Sequence, residues 1–187
     1  MKEDINRSLD ALKHGGVILY PTDTIWGLGC DATNSKAVER IYQIKERESG
    51  KSMLILVDYP ARVERYVEIM PDVAWDLIDV ADKPLTIIYP QAKHLADNLI
   101  AYDGSIGIRV VKDSFCQQLI TRFKKPIVST SANYSIHAPP ANFSEIEPKI
   151  IDSVDYVVKW RQNETRKSKP SGIIKLGPNG EVKVIRE

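Results

Sequence analysis

The sequence has 187 residues, enough for one ordinary globular domain, and its 43% apolar and 27% charged residues are typical of a soluble protein. Its formal net charge of +1 excludes the basic overall field of many nucleic-acid-binding proteins, although a local basic patch stays open. Cys30 and Cys116 lack metal-ligand spacing, which favours reduced thiols in a reducing compartment. Because no apolar run could span a bilayer and the N-terminus is charged, we expect a cytoplasmic protein without a membrane partner.

The first 30 residues predict a helix, a buried strand and a polar loop. Apolar residues recur at helical spacing between Ile5 and Leu12, and the glycines at 15–16 end that helix. The apolar run 17–20 predicts a strand. Residues 21–29 then predict a loop whose hydroxyls, carboxylate and two glycines are suited to contacting a small ligand.

The centre of the chain alternates helical and strand patterns. Asn34 or Ser35 caps a helix that delivers Lys45 and Arg47 near its C-terminal end. Further strands are predicted at 53–57, 85–89, 106–111 and from 127, and further helices at 62–70, 72–81 and 114–123. This alternation indicates an α/β domain with a mixed sheet.

The C-terminal part predicts a helix at 143–151, a strand at 156–159 and a hairpin. The hairpin strands, 173–176 and 182–185, flank a turn of the Asn-Gly type. Between them and the earlier strand, segment 161–169 has no apolar residue, which indicates a solvated or mobile loop. Its closure over a pocket as a lid is a hypothesis that its position before Ser171 motivates.

Several standard catalytic motifs are absent from the sequence. It has no Gly-x-x-x-x-Gly-Lys-Ser/Thr loop and no Gly-x-Ser-x-Gly elbow. The three histidines are scattered and none has metal-ligand spacing, so we expect no protein-bound metal.

Polar side chains instead gather in loops at the ends of predicted strands. In open α/β sheets such loops converge on the ligand, and their hydroxyls and cations favour a ligand with phosphate and amino-acid character. Each piece also has a simpler interpretation. Lys45, Arg47 and Lys51 could be a solvated helix end, residues 129–133 a capped turn, and Arg109 a solvent-facing strand residue.

Taken together, these residues resemble the YrdC-like family of threonylcarbamoyl-AMP synthases over nearly the whole chain. The matching pieces are Pro21-Thr22-Asp23-Thr24 with Gly27-Leu28-Gly29, Lys45-Glu46-Arg47 with Lys51, Pro84-Leu85-Thr86, Gly107-Ile108-Arg109 and Ser131-Ala132-Asn133. The resemblance implies an α/β fold: a single YrdC-like domain over residues 1–187, with a twisted mixed sheet flanked by helices and a concave ligand-binding cleft.

The resemblance also implies a reaction and its participants. The family condenses L-threonine, bicarbonate or CO2, and ATP into threonylcarbamoyl-AMP with release of pyrophosphate, for N6-threonylcarbamoyladenosine modification of tRNA. The chain would then be a nucleotidyltransferase that receives Mg2+ with its ATP. Its further partners would be tRNA and the threonylcarbamoyl-transferase machinery.

Residue roles follow from the matching positions. Lys45 and Arg47 would be catalytic. Threonine would contact Thr24, Arg109, Ser131 and Ser171, and ATP would contact Arg47, Lys51, Ser105, Asn133 and Arg186.

The sequence departs from the family pattern at a few positions. Ile136 stands where many members have glycine, and Gly172 stands where threonine is common, which affects loop geometry and removes a hydroxyl. Two other functions stay open: a double-stranded RNA or tRNA-binding module of the same fold, which the net charge disfavours, and a paralogous carbamoyl-transfer protein, which the intact motifs disfavour.

Overall fold

The computed structural model describes residues 1–47, 53–165 and 167–187. Its helices are α1 (Lys2–Lys13), α2 (Ser35–Ile44), α3 (Asp72–Val80), α4 (Ser114–Phe123) and α5 (Pro148–Asp152). Its strands are β1 (Ile18–Tyr20), β2 (Gly27–Gly29), β3 (Leu54–Val57), β4 (Leu85–Tyr89), β5 (Ile106–Val110), β6 (Ile127–Ser131), β7 (Tyr156–Val157), β8 (Gly172–Leu176) and β9 (Val182–Arg186). Short 3-10 helices cover Pro60–Arg65, Asp97–Leu99 and Phe143–Glu145.

The strands form one mixed sheet in the order β7-β1-β2-β6-β3-β5-β4-β8-β9. Three neighbouring pairs, β1 with β7, β3 with β5, and β4 with β8, run parallel, and the other pairs run antiparallel. This large twisted sheet with its helices confirms the predicted α/β class and mixed sheet. The division of the chain into a single domain stays a prediction.

The apolar patterns of the sequence correspond to the buried faces of these elements. All three residues of β1 are buried, as an uninterrupted apolar run predicts. In α2, Val38 and Ile41 lie in the core, and the side chain of Asn34 caps the helix by accepting hydrogen bonds from two backbone N–H groups. Lys124 ends α4 in the left-handed conformation, with φ of 64°.

The prediction of a loop over residues 21–29 was wrong at its end, because Gly27–Gly29 forms β2 between β1 and β6. The glycines have a steric reason. A Cβ atom on Gly29 would lie 2.6 Å from the Tyr20 ring and 2.8 Å from the Val128 carbonyl oxygen. A strand this close to its neighbours therefore requires residues without side chains.

Two predicted helices also differ from the structure. In place of a helix at 62–70, a 3-10 helix ends at Arg65, and Val67 then bridges to Ala92. The predicted helix at 143–151 is interrupted, because Glu147 is extended before Pro148, as the residue preceding a proline prefers.

None of the helices in the described residues combines the length and apolar character needed to cross a membrane.

Candidate functional site

One cleft in the sheet brings together five of the residues predicted to bind substrates. Its volume is about 190 Å³, and it is lined by Thr24, Arg109, Ser131, Ser171 and Arg186, among others. These residues come from the β1–β2 connection, β5, the end of β6, the residue before β8, and β9. The fold therefore brings polar side chains from five distant segments into one cavity.

Arg109 is the buried cation of this cleft. Its side chain is 3% exposed, and its Nη2 lies 3.1 Å from Asp23 Oδ1 and 3.5 Å from Thr22 Oγ1. The Nε atom is also buried, and it has no hydrogen-bond partner among the described residues. One part of the guanidinium is thus fixed by Asp23 while a second donor stays available, which suits an anionic ligand such as a carboxylate.

Arg186 supplies a second guanidinium to the same space. Its Nε donates a hydrogen bond of 2.9 Å to the Ser171 carbonyl, which holds the side chain beside the cleft. Burial, together with the positive charge of Arg109, lowers the pKa of Arg186. Two cations that repel each other across a cleft favour an anionic ligand between them.

Hydroxyl groups line the cleft in bonded pairs. Thr24 Oγ1 lies 3.0 Å from Thr22 Oγ1, and Ser171 Oγ lies 2.8 Å from Thr86 Oγ1. Thr22 donates its proton to the Ile25 carbonyl, so Thr24 donates to Thr22 and presents an acceptor to the cleft, whereas either hydroxyl of the Ser171–Thr86 pair can be the donor. Trp26 forms part of the wall.

Lys45 lies beneath this region and is engaged by backbone. Its side chain is almost fully buried, and its Nζ donates to the Ser131 and Asn133 carbonyls at 2.5 and 2.6 Å. Lys45 thereby ties the end of α2 to the loop that follows β6. The structure gives this ammonium two carbonyl partners, and its predicted catalytic role stays a prediction.

Burial lowers the pKa of Lys45 from its ordinary value of 10.5 to about 7, with a smaller contribution from the positive charge of Arg47. Between these pH values the unfolded chain binds the proton more tightly than the folded chain, so stability rises with pH there. Below about pH 7 both states are protonated and the folded chain carries the full cost of the buried charge. Both carbonyl bonds survive deprotonation, because a neutral amine still has two N–H donors.

Three of the residues predicted to contact ATP do not line this cleft. Asn133 is buried next to it and donates from Nδ2 to the Tyr134 and His137 carbonyls, which leaves Oδ1 without a hydrogen-bond partner among the described residues. Arg47 is half-buried just past α2, and burial lowers its pKa. Ser105 is buried elsewhere. Lys51 lies outside the described residues.

Ser105 belongs to a separate polar cluster. Its hydroxyl donates to Asp103 Oδ1 at 2.5 Å, and Lys175 Nζ donates to the other oxygen of the same carboxylate at 2.6 Å. These two donors lower the pKa of Asp103 to about 2. The proton of the Ser105 hydroxyl thus holds the turn before β5, and the role of Ser105 in contacting ATP stays a prediction.

Sequence reasoning missed two polar residues that shape the cleft. Asp23 pairs with Arg109, and Thr86 pairs with Ser171. Both lie inside the motifs that carried the resemblance, so their positions were visible while their partners were not. Trp26 packs on Phe143 with ring centroids 4.8 Å apart and also lines the cleft.

Part of the segment predicted as a polar loop docks against the loop that carries Thr24. Arg161 Nη1 donates to the Thr22 carbonyl and to Asp113 Oδ2, both at 3.1 Å, and its Nε contacts Glu164 at 2.8 Å. Arg161 adopts this position with a φ of 70°, which is strained for a residue other than glycine. Its three polar contacts hold the segment beside the site.

Comparisons with known proteins agree with this architecture. The Sua5/YciO/YrdC family model, described as "Telomere recombination", matches residues 10–187. The threonylcarbamoyl-AMP synthase of Pseudoalteromonas translucida is 32% identical over 157 residues, which cover 82% of this chain and 84% of that protein.

Two solved structures share the fold. E. coli YciO matches with a TM-score of 0.86 and 25% identity, over 100% of this chain and 90% of that one. P. abyssi Sua5, crystallised with L-threonine, matches with a TM-score of 0.83 and 20% identity over 94% of this chain. The match spans 52% of the Sua5 chain, about half its length.

Proposed function

Since the chain belongs to the Sua5/YciO/YrdC family, we propose that it is an L-threonylcarbamoyladenylate synthase. It condenses L-threonine, bicarbonate or CO2, and ATP into threonylcarbamoyl-AMP, with release of pyrophosphate, and so acts as a nucleotidyltransferase. The product serves N6-threonylcarbamoyladenosine modification of tRNA. The observation that carries the proposal is the cleft in which Arg109, Arg186 and several hydroxyls meet.

Threonine is an amino acid whose carboxylate needs a cation and whose hydroxyl needs a donor and an acceptor. Arg109 meets the first need, because its buried Nε lacks a hydrogen-bond partner and Asp23 holds its guanidinium in position. Thr24, Ser131 and Ser171 meet the second. The crystal structure of the Sua5 relative with L-threonine supports this assignment of the ligand class.

The chemistry requires two bond-forming steps and no protein nucleophile. The threonine amine attacks CO2 to form a carbamate, and a carbamate oxygen then attacks the α-phosphorus of ATP as pyrophosphate leaves. The carbamate decomposes in water, so the enzyme must hold both reactants together and exclude solvent. Holding reactants in an attacking geometry supplies up to about 7–11 kcal/mol of barrier lowering in favourable cases.

Cations must balance the charge that develops on the phosphate oxygens. Arg47, Lys51 and Arg186 serve this purpose in the proposal, with Ser105 and Asn133 as further ATP contacts. Arg186 belongs to the cleft itself, and the buried Asn133 Oδ1, an acceptor without a hydrogen-bond partner among the described residues, lies next to it.

Mg2+ enters with ATP and is held by phosphate oxygens and water. Among the described residues no carboxylate lines the cleft, and the nearby Asp23 is already paired with Arg109, which fits a metal carried by the substrate. When bound, the ion neutralises phosphate charge.

The proposal includes a cytoplasmic location, tRNA as the downstream acceptor and the threonylcarbamoyl-transferase machinery as a partner. The two cysteines, which are buried and unpaired, support a reducing compartment.

The experiment is an assay of pyrophosphate release from ATP with Mg2+, bicarbonate and L-threonine. We expect release that depends on threonine and falls to background with L-serine or without an amino acid. Arg47→Ala should lose most of the activity while staying folded, and Arg122→Ala, which changes an exposed cation on α4, should keep it. Normal turnover by Arg47→Ala would remove Arg47 from the mechanism.

The same preparation separates the alternatives. Release without threonine dependence would contradict the proposal. RNA binding with steep salt dependence and no nucleotide turnover would favour the RNA-binding module. Turnover that requires carbamoyl phosphate in place of threonine and bicarbonate would favour the paralogous carbamoyl-transfer protein.

A further inference from the structure

A second and larger cavity, here called the α3 cavity, lies between α3 and the sheet. Its volume is about 780 Å³. Ile108 and Val110 of β5 line it, whereas Arg109 between them lines the cleft. Because successive residues of a strand point to opposite faces, the α3 cavity and the cleft lie on opposite faces of the sheet.

The helix over this cavity, α3, is rich in apolar residues, but most of them are not buried. In α3, Ala74 is the one buried residue, although the helix also carries Trp75, Leu77 and Ile78, and Val80 is 74% exposed. Trp75 and Ile78 line the cavity. Burying an apolar face of this kind against a further apolar group is energetically favourable.

A buried phenol faces the same cavity. Tyr89 lines it, is 1% exposed, and makes no hydrogen bond from its hydroxyl to any other described residue. Burial raises the pKa of Tyr89, so the hydroxyl stays protonated and can both donate and accept. The hydroxyl oxygen keeps a small accessible area although the residue as a whole is buried, so it opens on the cavity, where a ligand group can bind it.

The charge around the cavity is negative. Asp76, Asp79 and Asp82 line it and form no ion pair within the described part of the chain. Two lysines, Lys83 and Lys112, also line the cavity and offset two of these three charges, and the ammonium of Lys112 is held by the Ala81 carbonyl at 2.7 Å.

We propose that the α3 cavity is a second binding site, for a small organic cation that combines a protonated amine with an apolar body. The apolar body packs against Trp75 and Ile78, and the ammonium lies near the carboxylates of α3. An aromatic wall next to unpaired carboxylates is the arrangement that recognises such cations, through cation–π attraction and charge-assisted hydrogen bonds. Tyr89 supplies an acceptor within the cavity.

The test uses 3-phenylpropylamine, which is protonated at neutral pH, and two matched molecules, 3-phenylpropanol and 3-phenylpropanoate. Binding to the full chain is measured by calorimetry at low salt. We expect the amine to bind at least tenfold more tightly than the alcohol and the carboxylate not to bind. The triple variant Asp76→Asn, Asp79→Asn, Asp82→Asn should lose at least tenfold in amine affinity.

A control variant makes the same change of charge elsewhere, at the exposed Glu39→Gln, Asp97→Asn and Asp152→Asn. It should keep the amine affinity. Saturating L-threonine should not displace the amine, because the two cavities lie on opposite faces of the sheet, although Asp23 of the α3 cavity is paired with Arg109 of the cleft. Equal binding of amine and alcohol, absence of amine binding, an equal loss in the control variant, or displacement by threonine would each overturn the proposal. Trp75→Ala, which preserves every carboxylate, should also weaken binding.

Discussion

The Arg109→Lys variant examines the assignment of the carboxylate-binding residue. Lysine keeps one positive charge within reach of Asp23, which lies 3.1 Å from the arginine Nη2. It cannot also present the second donor that Nε provides at the buried edge of the cleft. We therefore expect a specific loss of threonine binding with little change in stability.

The magnitude follows from the number of hydrogen bonds that the variant loses. One hydrogen bond to a charged group contributes about 1.5–3 kcal/mol, which corresponds to a rise of roughly 10- to 150-fold in the KM for threonine. The KM for ATP should change by less than about threefold. By contrast, Arg109→Met leaves Asp23 without its partner in a largely buried position, and we expect the free energy of unfolding to fall by about 3–5 kcal/mol.

The assay is steady-state pyrophosphate release with threonine and ATP varied separately, next to urea unfolding of each variant. Arg122→Lys, an exposed arginine on α4, is the matched control and should behave as the wild type in both measurements. An unchanged KM for threonine in Arg109→Lys, or an equal rise in both KM values, would refute the assignment.

Three further variants test the packing and electrostatics around the site. Above pH 7, the free energy of unfolding of the wild type should rise relative to that of Lys45→Met by up to about 1.4 kcal/mol per pH unit, because the buried Lys45 loses its proton near pH 7. The exposed Lys36→Met is the control and should show the wild-type pH dependence in urea unfolding. Parallel curves for the wild type and Lys45→Met would contradict the lowered pKa. Gly29→Ala should lower the free energy of unfolding by about 1–3 kcal/mol, since its Cβ would lie 2.6 Å from the Tyr20 ring. Gly172→Ala, whose Cβ would have no atom closer than 3.6 Å, should be tolerated. Equal stability of the two variants would disprove the steric reason for glycine in β2. Arg161→Ala should speed tryptic cleavage within 161–169, because it removes two contacts that hold this segment to the site, and a wild-type cleavage rate that both substrates leave unchanged would argue against a lid.

Local patterns predicted the elements that depend on burial alone. The apolar runs that became β1, β3 and β4 lie within a residue of the predicted bounds, because a continuous apolar segment of that length has few other ways to leave water. The strand β2 was missed because Gly-Leu-Gly carries no strand pattern. These glycines are needed because Tyr20 of β1 and Val128 of β6 approach Gly29 closely, and a local sequence pattern does not contain that contact.

The candidate site shows the same division. Motif residues such as Arg109 and Ser171 could be named from the sequence, but their contacts with Asp23 and Thr86 join positions about 85 residues apart. Lys45 illustrates the limit most clearly. A lysine at a helix end reads as a solvated cation, and only the folded chain shows it buried against two carbonyls.

The most direct measurement is mass analysis of the product formed from 13C-labelled bicarbonate, L-threonine and ATP. The proposed reaction yields a threonine–AMP conjugate that carries the bicarbonate carbon, and Arg109→Lys should yield less of it at low threonine concentration. Nucleotide products that contain neither threonine nor the labelled carbon would contradict the claim that this cleft joins the three substrates.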